Sequence, residues 1–171
     1  MKSDYRIRAQ KFLRQIFPYI ADCLGDVTEV DTRVWEYAAS HSRKIDCMWG
    51  SARCALITSD YVIKWDYGDD EILYDIGGCE DEIRKYEFAV KEGYAYLLAE
   101  ISRFDYCGHR FYIMPRIPKV GSDCHSGGIE SYLNAEEYYW LTTFCDDLHD
   151  FNWGVRGNKA CVIDYAYDSC N

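Results

Sequence analysis

Asp147-Leu148-His149-Asp150-Phe151-Asn152, followed ten residues later by Val162-Ile163-Asp164-Tyr165-Ala166, is the stretch that decides how this chain is read. It sets out a carboxylate, an amide five residues on, and a short hairpin around Gly154 and Val162 that closes on apolar-apolar-Asp. Carboxylate and amide oxygens are hard donors of the kind that suits Mg²⁺. Taken alone, Asp146, Asp147 and Asp150 would make an ordinary solvated acidic turn. The spacing to Asn152 and Asp164 is what lifts the stretch above that reading.

Working back from it, Asn134 is placed to cap a helix from Ala135 to about Phe144 through Tyr138, Tyr139 and Leu141. Residues 119–128, rich in Gly and Ser, read as loop. Leu97 to Ile101 and Arg110 to Met114 look like a strand pair, with Cys107-Gly108-His109 near the turn. Pro115 and Pro118 end the second strand, since proline cannot donate to a ladder. Before them a helix runs from about Glu80 to Lys91, with Ile83, Tyr86, Phe88 and Val90 among its apolar members. Cys54-Ala55-Leu56-Ile57-Thr58 and Tyr61-Val62-Ile63-Lys64-Trp65 flank a Ser59-Asp60 turn and read as a hairpin. An acidic loop, Tyr67-Gly68-Asp69-Asp70-Glu71, follows it.

The front end is helical. Phe12, Leu13, Ile16, Phe17, Ile20 and Leu24 recur at three- and four-residue steps over residues 4–24. Pro18 is expected to interrupt or kink this segment near Phe17, and Gly25 to end its second part. A second helix, capped by Asp31 or Thr32, is expected through Val34, Trp35 and Ala38 to about Ser40. Residues 1–44 therefore read as a helical extension packed on a small lobe, and 45–171 as the main domain.

At 171 residues one domain with a real core is expected. Hydrophobic residues make up 49% and aromatics 16%, which is globular rather than disordered composition. The formal charge of −10 and the lack of a basic stripe argue against direct nucleic-acid binding. Such charge serves solubility, meets a basic partner surface, or imitates the phosphates of DNA. Nine cysteines, no signal-like opening and no apolar run of membrane length point to reduced thiols in a cytoplasm, with no membrane partner. Cys107-x-His109 and Cys124-His125 lack the spacing of a zinc site.

In order, the chain offers a hairpin with Gly50, a Val-Ile-Lys strand, a helix with glutamates, a strand pair ending at Met114-Pro115-Arg116-Ile117, a helix, Asp-Leu-His-x-x-Asn, and Ile-Asp-Tyr-Ala. Over residues 45–168 this resembles the protein kinase fold, and more narrowly the small kinase-like proteins encoded by bacteriophages. The resemblance is sharpest at the two C-terminal motifs. It implies an α+β architecture: a small antiparallel-sheet N-lobe, a reduced helical C-lobe, and the helical extension in front. The chain ends five residues after Ala166, where a full-size kinase would begin its activation segment, so the expected C-lobe is truncated.

What the resemblance implies for residues follows motif position. Asp147 would accept or orient a substrate hydroxyl proton, with His149 touching the transferring phosphate where many kinases carry lysine. Asn152 and Asp164 would hold Mg²⁺ on the phosphates of ATP. Lys64, costly to bury in an apolar strand without an anion, would meet those phosphates and a helix glutamate. Glu82 matches that glutamate best, with Glu80 and Glu87 on the same helix as alternatives. Gly50 and Ser51 occupy the phosphate-covering turn, although the full Gly-x-Gly-x-x-Gly set is absent. Met114 and Arg116 stand at the hinge, whose backbone would meet adenine. Tyr165-Ala166 replaces the Phe-Gly that gives the family's loop its mobility. The implied activity is Ser/Thr phosphorylation of host proteins in the host cytoplasm. The alternatives are a pseudokinase, or an acidic protein that inhibits a host defence or nucleic-acid enzyme by direct binding.

Overall fold

A single apolar stripe organises the first helix, α1 (Asp4–Ile20): Ala9, Phe12, Leu13, Ile16, Phe17 and Ile20 fall on one face and are all buried. These positions belong to a computed structural model that describes residues 4–50, 52–67, 78–118, 128–145, 148 and 152–165. The chain forms two units, Met1–Tyr74 with Ile101–Arg116, and Asp75–Glu100 with Ile117–Asn171.

In the first unit the stripe of α1 and the buried side of α2 (Val27–Ser40) share one core with a five-stranded antiparallel sheet. The strands are β1 (Asp46–Trp49), β2 (Arg53–Ile57), β3 (Tyr61–Asp66), β4 (Ser102–Tyr106) and β5 (His109–Pro115), in the spatial order β1-β2-β3-β5-β4. Leu56, Ile63, Trp65, Phe111 and Ile113 supply the sheet's side of that core, and the Trp65 indole donates to the Leu24 carbonyl at 3.1 Å. The helical extension is thus one wall of the core that the sheet needs.

Three local expectations are corrected. The first helix stops at Ile20, two residues past Pro18, and the chain turns through Ala21 to Gly25 instead of continuing as helix. The cap of α2 is Asp26, whose carboxylate accepts the amides of Thr28 and Glu29 at 3.1 Å each, so the helix starts well before Asp31. Residues 97–101 do not form the partner strand of β5; that strand is Ser102–Tyr106. Leu98 instead makes an isolated parallel bridge to Val162, and the Ala99 amide donates to the Val162 carbonyl at 2.7 Å. Leu97, Leu98, Ala99 and Ile101 are buried and Leu98 is extended, which is why the segment carries the texture of a strand.

The second unit contains α3 (Cys79–Glu92), a 3-10 turn at Ala95–Leu97, another at Ile129–Tyr132, α4 (Ala135–Phe144) and a hairpin of β6 (Trp153–Arg156) and β7 (Lys159–Val162). Gly93, at φ +84°, ends α3 in the left-handed conformation. Phe88 and Val90, expected among the apolar members of that helix, are about half exposed. The described architecture is α+β, one five-stranded antiparallel sheet and four α-helices, with a separate two-stranded hairpin.

Ile63 is wholly buried beneath α1, so Ile63→Ala should cost about 2–5 kcal/mol. Ile7→Ala, on the exposed side of the same helix, should change stability by less than about 0.5 kcal/mol. Urea unfolding of both variants checks the assignment of the two faces.

Candidate functional site

Backbone pairing brings two of the candidate metal ligands together. Beyond the Trp153–Val162 pair of the hairpin, the Asn152 carbonyl accepts the amides of Ile163 at 2.7 Å and Asp164 at 3.3 Å. Asn152 and Asp164 therefore lie side by side where the two strands meet, both half-buried. Their hard oxygens fit a divalent cation such as Mg²⁺. Among the described residues no group of three His, Cys, Asp or Glu side chains stands together as a ready metal cage.

The next residue ties this end of the hairpin to α3. The Tyr165 amide donates to Glu82 Oε1 at 3.3 Å, and the Tyr165 hydroxyl donates to the Ala99 carbonyl at 2.7 Å. Glu82 has no solvent exposure, whereas Glu80 is half-buried and Glu87 exposed. Burial, then the charge of Glu82, pushes the Tyr165 phenol well above its ordinary range, so it stays a neutral donor. Cys161, in the same hairpin, is pushed up to about 11 by burial and stays a thiol, unsuited to nucleophilic or ligand chemistry.

What holds the hairpin against its unit was not anticipated from the sequence. Glu137, at the third position of α4, accepts the Asn134 amide on Oε2 at 2.8 Å and the Tyr96 hydroxyl on Oε1 at 2.9 Å. Lys159 Nζ, on β7, reaches both oxygens at 2.7 Å. One buried carboxylate thus joins α4, the 3-10 turn after α3, and the hairpin. The reciprocal Asn134–Glu137 capping box was readable as Asn-x-x-Glu; the two long-range donors were not. Gly154 adds a close approach: a Cβ there would collide with the Pro118 carbonyl, so only glycine lets residues 117–118 lie along β6.

The remaining candidates lie in the first unit. Lys64 is buried in β3, opposite Ala55 of β2 and Tyr112 of β5. Gly50 sits in the β1–β2 turn, where its amide donates to the Arg53 carbonyl at 2.9 Å and its carbonyl accepts the Tyr67 hydroxyl. Met114 is buried within β5 opposite Val62. Arg116 follows that strand, its amide on the Asp60 carbonyl and its guanidinium on the Thr58 carbonyl, each at 2.9 Å. Its side chain is thereby occupied in bracing the β2–β3 turn. Ser51, Asp147 and His149 lie outside the described residues. Of the two Cys-His pairs, Cys107 lies in the β4–β5 turn and His109 opens β5, its ring 5.6 Å from that of Phe17. Cys124 and His125 are also outside the described residues.

Comparison with protein-family models, with curated proteins and with solved structures gives no match. The site is therefore read from its own residues. The described candidates fall into two groups, Lys64, Gly50, Met114 and Arg116 in the first unit, and Asn152, Asp164 and Glu82 in the second.

Lys159, then the Asn134 amide, hold the Glu137 carboxyl below the ordinary glutamate range. A group whose pKa is lowered on folding stabilises the fold above its unfolded value, about 4.3. That contribution disappears as pH falls through the folded value. Lys159→Met should therefore cost about 1–2 kcal/mol at pH 7. Melting temperatures of variant and wild type should converge as pH falls from 5 toward 3. A difference that stays constant over that range would show that the ion pair is not what the lysine contributes.

Proposed function

We propose that this chain is a kinase-like protein of the small bacteriophage-encoded type, which binds Mg·ATP and phosphorylates Ser or Thr on a host protein in the host cytoplasm. One observation carries the reading. The helix that follows β3 in the chain buries a glutamate completely, and that glutamate accepts the amide of the residue after Asp164. A carboxylate removed from water is costly unless charge or donors meet it. Here the two motifs that the sequence singles out, the α3 acid and Ile-Asp-Tyr, meet at a hydrogen bond. The sheet order β1-β2-β3-β5-β4, with α3 inserted between β3 and β4 in sequence and a buried lysine on β3, agrees with the same reading.

In this assignment Asp164 and Asn152 hold the cation, and Lys64 meets the phosphates of ATP. Gly50 and Ser51 cover them, Met114 and Arg116 flank the base, and Glu82 fixes the position of the Asp164 segment. Asp147 orients the incoming hydroxyl and His149 faces the transferred group. Bound Mg²⁺ would neutralise charge on the phosphates, leaving positioning and electrostatics as the protein's contribution.

The formal charge of −10 favours a second reading, an acidic pseudokinase that inhibits a basic host enzyme by occupying it. No helix among the described residues is long and apolar enough to cross a membrane, so neither reading uses one.

Melting curves with and without Mg·ATP test the nucleotide site. At about 100 times its Kd the ligand should add about 2.7 kcal/mol. For a chain of this size that is an upward shift of roughly 5–10 °C. Asp164→Asn should abolish the shift. Asp147→Ala should keep the shift and lose phosphotransfer to casein or a host lysate. No shift in wild type refutes nucleotide binding, and phosphotransfer that survives Asp147→Ala refutes the catalytic assignment.

A further inference from the structure

Among the described residues, the sheet of the first unit has an open side at β1. Among the described residues β1 pairs with β2 alone. The Gly50 amide bonds the Arg53 carbonyl, making that pair a hydrogen-bonded one. Antiparallel pairing alternates, so Met48 and Asp46 also bond inward, while the amides and carbonyls of Cys47 and Trp49 point away from β2. An edge with unpaired backbone groups is a template for another strand. Two of its four side chains are apolar and exposed, Met48 at 50% and Trp49 at 48%, with Trp35 of α2 at 71%.

At the beginning of β1 the edge runs into a groove of about 520 Å³ between α2 and the end of the sheet. Its charged lining is Arg43, Lys44 and Arg116 against the single carboxylate of Asp46. Three cations to one anion is the reverse of a chain that carries −10 overall. Two of the cations are held in place: Arg43 by Gln15 at 3.1 Å and by the Phe12 ring at 5.5 Å, and Arg116 by the Thr58 carbonyl. Side chains already fixed lose little freedom when a ligand binds. The groove is many times the roughly 30 Å³ share of one water, so a bare anion would leave most of it unfilled.

We propose that the open edge of β1 and the cationic groove beside it together bind an extended acidic segment of a partner protein, which adds to the sheet as a sixth strand. Backbone bonding to Cys47 and Trp49 would give register, and acidic side chains would enter the groove. A second copy of this chain adding through its own β1 is the wrong occupant, because antiparallel pairing would set each groove beside the Trp49 end of the other strand, while the one acid of β1, Asp46, stands at the opposite end. Arg116 is the one groove residue shared with the nucleotide reading, and the variants that test this inference leave it unchanged.

Fluorescence anisotropy with a labelled octapeptide alternating glutamate and valine tests it. An acidic probe held by an acidic protein requires a local basic site, so saturable binding is itself informative. Lys44→Glu should weaken binding at least fivefold, and Trp49→Pro, which removes an outward amide, should abolish it. The same peptide N-methylated at alternate residues should fail on wild type; this arm stands even if a variant does not fold. No saturable binding, equal binding by Lys44→Glu, or equal binding of the N-methylated peptide overturns the proposal. So does a wild-type dimer in sedimentation without peptide.

Discussion

A buried carboxylate holding four hydrogen bonds from three donor groups, Glu137, is the constraint on which the second unit depends. Its two oxygens are shared among the Asn134 amide, the Tyr96 hydroxyl and both reaches of Lys159. A carboxylate with 4% exposure is tolerable only because each lone-pair direction has a partner. The geometry of α4, of the turn after α3 and of the β6–β7 hairpin is therefore set by one group. Asn152 and Asp164 stand at the open end of that hairpin, so the place where a cation is proposed to bind inherits its position from an ion pair some residues away. Tyr96, pushed up to about 12 by burial and by its bond to Glu137, remains a donor at any physiological pH. On the acid side, protonation of Glu137 is what loosens the clasp.

Glu82 and Glu137 are the buried acids of the described residues, and they do different work. Glu137 is saturated by partners on its own unit and explains itself as structure. Glu82 accepts a backbone amide at 3.3 Å, a bond at the long end of the normal range, from a residue of the candidate site. A structural acid and a site acid are thus distinguished by what they hold. One fastens elements to each other, and the other fastens the segment that carries Asp164.

The legible parts of the fold were those fixed by local chemistry. The α1 stripe, the Asn134 cap, the Ser59-Asp60 turn and the strand end at Pro115 all depend on neighbours within a few residues. The cap of α2 was present as Asp26-Val-Thr-Glu, but the later Asp31-Thr32 competes with it on the same terms. Long-range pairing was not legible. Leu97 to Ala99 is apolar and buried because Leu98 and Ala99 lie against β7, more than sixty residues away, and no period within the segment distinguishes that from pairing with β5. β1 gave no alternation because it is short and mostly exposed, one neighbour being all it has among the described strands. For the candidate site, residue types and spacing named Asn152 and Asp164 and favoured Glu82 over Glu80 and Glu87 by motif position alone. Burial separates them, and burial is a property of the whole unit.

Charge is distributed in this molecule against its average. A net −10 spread evenly would repel any acidic partner, yet at physiological salt the screening length is about 8 Å, so a bound segment feels mainly its nearest neighbours. Arg43, Lys44 and Arg116 can therefore present a locally positive edge on a globally negative body. The global charge would still slow the approach of acidic partners while hastening that of basic ones. Selection would then fall on contact geometry rather than on attraction at a distance. The short open strand supplies that geometry, because backbone bonds form only with a chain that is extended and in register. An acidic protein thereby gains specificity for an acidic segment that its net charge alone would reject.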